Sequence, residues 1–97
     1  MVKKIYQGET LLIENEVLDV NGEPANLTQA TIRVDLKLPD GEVAVLQHEV
    51  TENIISIALA TDQTTQVGVY TYQFKVTIED EVKKTLGVFK VNKAVSI

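Results

Sequence analysis

Cysteine and tryptophan are absent from this chain, histidine occurs once, and the aromatics amount to three tyrosines and two phenylalanines. Each shortage removes a class of explanation. Without cysteine there is no disulfide and no thiolate. A domain of this size must then hold together by packing alone, which suits synthesis in a reducing compartment. With His48 as the lone imidazole, a nucleophile–base pair has little to draw on, and Ser56 and Ser96 lie in strand-like contexts without a glycine-flanked elbow. Few aromatics leave little for stacking bases or sugars. Four of the five lie in two stretches expected to form a core, and Tyr6, near the start, is the exception. Glycine motifs that cradle phosphate are missing. No apolar run approaches the roughly 20 residues that cross a bilayer. Gln7, Gly8, Glu9 and Thr10 interrupt the opening Met-Val-Lys-Lys-Ile-Tyr, so it does not read as a secretory signal, and Met1 reads as a start.

What remains is a short acidic chain. Ninety-seven residues suit a single domain, spanning 1–97. Fourteen acids against nine bases give a net charge of −5, which repels a nucleic-acid backbone unless bases are concentrated somewhere. The basic pairs, Lys3-Lys4 and Lys83-Lys84, read as solvated edge strands, where lysine discourages sheet-to-sheet aggregation.

The positive signal is a period of two. Along Gly-Val-Tyr-Thr-Tyr-Gln-Phe-Lys-Val-Thr-Ile (68–78), Tyr70, Tyr72, Phe74, Val76 and Ile78 share one side, with polar residues mostly on the other. That is a strand with one face on a core and one in water. Similar alternation predicts strands over 3–6, 9–20, 30–38, 42–50, 54–60 and 82–91. In 9–20, Leu11, Ile13 and Val17 occupy one phase and Leu12, Leu18 and Val20 the other, which suggests a bulge near Asn15. Ile55, Ile57 and Leu59 should point inward, and in 30–38 Ala30, Ile32, Val34, Leu36 and Leu38 alternate with Thr31, Arg33, Asp35 and Lys37. In 42–50 the inward set is open. Gly87 in mid-strand predicts a bulge or a close backbone approach.

The punctuation is equally regular. Asn21-Gly22 supplies positive φ in a turn before Pro24, Pro39-Asp40-Gly41 closes a hairpin, and Glu79-Asp80-Glu81 forms a charged tip. The polar 61–67 segment predicts one helical turn capped by Asp62. The sum is an all-β chain, an antiparallel sandwich of about seven strands of the immunoglobulin-like kind. The entry Gly68-Val69-Tyr70 looks like the corner that opens the sixth strand of such sandwiches, where a tyrosine hydroxyl bonds to the backbone a few residues upstream. Tyr70 is thus expected to serve stability.

Acidic groups offer weak chemistry. Glu14 with Glu16, Asp19 with Glu23, and Glu79 with its neighbours all fall where solvated turns or strand faces are expected. Asp19-x-Asn21-Gly22-Glu23 echoes the start of a calcium loop, but its downstream glutamate and flanking helices are missing, and a turn explains the same letters. No cofactor, metal or small-molecule substrate is expected.

Read in order, Tyr6-Gln7-Gly8-Glu9-Thr10, Asp19-x-Asn21-Gly22-Glu23-Pro24-Ala25-Asn26-Leu27-Thr28, Leu38-Pro39-Asp40-Gly41 and Gly68-Val69-Tyr70-x-Tyr72 carry a resemblance. Over residues 5–91 the chain resembles the N-terminal immunoglobulin-like domain of phage baseplate upper proteins. Glu9 and Asn26 stand where that family has aspartate. The resemblance implies a non-catalytic structural part of a phage or prophage tail, made in the bacterial cytoplasm and carried in the virion. Its partners would be other phage structural proteins or further copies of itself, with no nucleic acid and no membrane insertion. The chain would be that domain alone, without a helical stalk. The alternative is an immunoglobulin-like repeat of a bacterial surface protein or adhesin. The edges around 3–6 and 82–91 are the expected docking places.

Overall fold

A computed structural model describes residues 3–94. It contains β1 (Lys3–Tyr6), β2 (Leu11–Glu16), β3 (Thr31–Lys37), β4 (Val43–Leu46), β5 (Glu49–Thr51), β6 (Ile54–Leu59), β7 (Gly68–Ile78) and β8 (Glu81–Asn92), with one 3-10 turn at Thr61–Gln63. The strands form two sheets, ordered β1-β8-β7-β3-β4 and β2-β6-β5. The chain is all-β, and the sheets share one apolar core in a sandwich-like arrangement.

Strand alternation decides what is inside. Tyr70, Phe74 and Val76 from β7, Val34 and Leu36 from β3, and Phe89 and Val91 from β8 are buried. They meet Leu11, Ile13, Ile55, Ile57 and Leu59 from the smaller sheet. Tyr72 and Ile78 are partly buried against the same cluster. Tyr70 and Phe89 face each other across the β7–β8 ladder with ring centroids 4.9 Å apart and planes 10° from parallel. Such a cross-strand aromatic pair adds about 0.5–1.5 kcal/mol to the area it buries.

Several expectations require correction. The expected 42–50 strand is two strands. β4 pairs with β3 in the larger sheet, Gln47-His48 carries the chain across, and β5 pairs with β6 in the smaller one. The count among the described residues is therefore eight rather than about seven. Nor is every pairing antiparallel, because β1 lies parallel to the end of β8, with Lys3 opposite Phe89 and Tyr6 opposite Asn92. Nearly the whole chain intervenes between these strands, so the long connection that a parallel pair requires is available.

No bulge interrupts β2. Its register with β6 runs unbroken from Leu11–Leu59 to Glu16–Ile54, and Leu12, Leu18 and Val20 are simply exposed. At Gly87 the close approach is the correct alternative. It sits opposite Tyr72 in an unbroken ladder, and a Cβ there would run into the Tyr72 ring. The β7–β8 tip is the pair Glu79-Asp80, since Glu81 already pairs with Ile78.

Candidate interaction face

Three of the turns that carry the sequence motifs, at Gly8, Asp40 and Gly68, converge at one end. The Tyr70 hydroxyl accepts a hydrogen bond from the Gln66 backbone N–H at 3.0 Å, tying the loop before β7 to the core. Gln66 also reaches the β3–β4 hairpin: its Nε2 donates to Asp40 Oδ2 at 3.0 Å, and its Oε1 accepts from the Asp40 N–H at 3.2 Å. Gly41, at φ +94, closes that hairpin by donating its N–H to Leu38 at 2.9 Å. Gly68, at φ +139, lies where a Cβ would stand 2.9 Å from Pro39 Cβ. The same loop holds the first turn. Buried Thr64 donates its hydroxyl to the Glu9 carbonyl at 2.8 Å, and Gly8 donates its N–H to the Thr64 carbonyl at 3.2 Å.

Asp62 is not the cap. Ala60 occupies the N-cap position of the 3-10 turn, and the Gln63 side chain reaches back to accept its N–H at 2.8 Å, while Asp62 lies exposed in the first turn. A glutamine three residues past the cap spans back to the cap N–H, which the shorter Asp62 side chain does not do.

At the Gly22 turn, Asp19 Oδ1 accepts from the N–H groups of Asn21 at 2.8 Å and Glu23 at 3.0 Å. Gly22 supplies the positive φ there, at +81, and Asn21 does not. The Asp19 carboxylate is thus engaged in shaping its own turn. Among the described residues no three His, Asp or Glu side chains gather as a metal site. His48 and Ser56 line the same open depression on the smaller sheet, together with Leu12 and Glu49, and share no hydrogen bond. Ser96 lies outside the described residues.

The outer face of the larger sheet is what composition concealed. Because Ile5, Val34, Leu36, Phe74, Phe89 and Val91 point inward, their strand neighbours point out. The outward positions include Lys4, Arg33, Lys37, Lys75, Lys84 and Lys90, with Asp35 as the single acid. Six bases less one acid is +5, so in a chain of net −5 all other residues together carry −10. Lys84, Lys75 and Arg33 are direct cross-strand neighbours in one row. Like charges placed opposite each other disfavour the sheet unless an anion offsets them. Asp35 does so for Arg33, at 2.9 Å, and this is the one ion pair among the described residues. Between the bases lie Val43, Val45, Val69, Val82, Leu86 and Val88, each at least 40% exposed. The Lys3-Lys4 and Lys83-Lys84 pairs are split by alternation. Lys84 faces outward, whereas the Lys83 ammonium donates to the Leu18 carbonyl at 3.2 Å.

The smaller sheet is its opposite. Leu12, Glu14 and Glu16 on β2, Ile54, Ser56 and Ala58 on β6, and Glu49 and Thr51 on β5 face outward. That face holds three acids and no base.

No protein-family model matches the chain, and no curated protein matches it.

Proposed function

We propose that this chain is a non-catalytic, immunoglobulin-like interaction module that assembles with other subunits of a phage or prophage tail baseplate. The observation that carries the reading is the outer face of the larger sheet, where basic side chains are interspersed with exposed aliphatic ones. Such a mixture suits contact with a protein surface: aliphatic groups give area and charges set partner and register. The tail assignment rests on the motifs read from sequence. Their turns at Gly8, Pro39-Asp40-Gly41 and Gly68-Val69-Tyr70 interlock through Gln66 and Thr64, as parts of one structural unit should.

The test is location. An antiserum against the purified protein, applied to phage particles induced from the source strain, should label the tail tip. Labelling of the bacterial surface without particles would favour the adhesin alternative and overturn the tail assignment.

A further inference from the structure

The two outer faces match each other in more than sign. On the larger sheet Lys84 and Arg33 stand two strands apart, on either side of Lys75. On the smaller sheet Glu14 and Glu49 stand two strands apart, on either side of Ser56. At about 4.8 Å per strand each pair spans roughly 10 Å. Two residues along β8 from Lys84 is Leu86, and two residues along β2 from Glu14 is Leu12. These are 63% and 58% exposed, the two leucines on their respective outer faces. A charge row with one exposed leucine two residues beyond its end thus has a counterpart at the same spacing on the other sheet.

We propose that the occupant of the basic face is the acidic face of a second copy, so that copies stack with the larger sheet of one on the smaller sheet of the next. This deepens the interaction-module reading above and rests on it. The contact is heterologous: each copy uses one face and leaves the other free, so the stack grows unless something ends it. The smaller sheet, two strands of six residues and one of three, covers on the order of 250 Å², well below the roughly 800 Å² per partner of a stable complex. The contact is therefore weak between free molecules, is screened by salt, and acts strongly where copies are held side by side. A stacking surface for single-stranded nucleic acid fits less well, because the only aromatic on the basic face is Tyr6 at its edge.

Sedimentation velocity at high protein concentration tests this with three proteins: wild type, the double variant Lys75→Glu/Lys84→Glu, and the double variant Glu14→Lys/Glu49→Lys. Every substituted position lies on an outer face, so the core is untouched, and circular dichroism checks folding. Wild type should associate reversibly at low salt and dissociate as salt rises. Each variant alone should associate at least about tenfold more weakly. An equimolar mixture should associate again, because the first variant keeps its acidic smaller sheet and the second its basic larger sheet, which together restore the wild-type contact. The proposal is overturned by a wild type that stays monomeric at millimolar concentration and low salt. It is equally overturned by association that survives either reversal, or by a mixture that fails to recover. If the basic face binds heparin while the protein stays monomeric, the face serves a polyanion and the proposal is wrong. None of these results bears on where the protein resides, so the tail assignment stands or falls separately.

Discussion

Gln66 and Asp40, twenty-six residues apart, are joined by two hydrogen bonds of 3.0 and 3.2 Å that fasten the β3–β4 hairpin to the loop before β7. The backbone of the same Gln66 donates to Tyr70. One residue therefore couples a surface hairpin to a tyrosine whose ring lies wholly in the core.

Replacing Gln66 or Asp40 by alanine should each cost about 1 kcal/mol, the ordinary net worth of such bonds. In a double-mutant cycle followed by urea unfolding, the two losses should fall short of additive by roughly 0.5 kcal/mol or more. Strict additivity would mean that the pair contributes nothing as a pair.

Tyr70→Phe keeps the ring and deletes the acceptor of a part-buried N–H. The expected loss is about 1–2 kcal/mol, the cost of leaving that donor without a partner. Because the aromatic stack on Phe89 persists, the far-ultraviolet circular dichroism should change little. An unchanged unfolding midpoint would show that the corner bond is dispensable.

Gly68 and Gly22 both have positive φ, but only Gly68 abuts another side chain, Pro39. Gly22→Ala should cost about 1 kcal/mol for backbone strain alone. Gly68→Ala adds the steric conflict and should cost at least about twice as much. Thermal unfolding of the two variants side by side checks the ranking.

At the 3-10 turn, Gln63→Ala removes the acceptor of the Ala60 N–H and should cost about 0.5–1 kcal/mol. Asp62→Ala should be neutral within roughly 0.5 kcal/mol. The reverse order in chemical denaturation would restore Asp62 as the cap.

The fold was legible where the alternation was long and the turns carried glycine. β7, β3 and β6 point the expected side chains inward, because a period of two over six or more residues admits one buried face. β4 and β5 were not separable, since the step from one sheet to the other at Gln47-His48 is marked only by two polar residues. The basic face was hidden by one position in a hairpin. A three-residue tip at Glu79-Asp80-Glu81 sets Lys75 opposite Thr85, whereas the Glu79-Asp80 tip sets it opposite Lys84. That slip flips the β8 face, so register, not composition, decides whether the lysines gather. The Gln66 side chain and the Thr64 hydroxyl's bond to Glu9 carry no local signal, because those partners lie 26 and 55 residues away.

The meeting of oppositely charged faces is most directly read by zero-length carbodiimide cross-linking of a mixture of nitrogen-14 and nitrogen-15 protein. The account predicts mixed-isotope cross-links joining Lys75 or Lys84 to Glu14 or Glu49. Cross-links confined to single-isotope pairs, or mixed links that avoid these four residues, would contradict it.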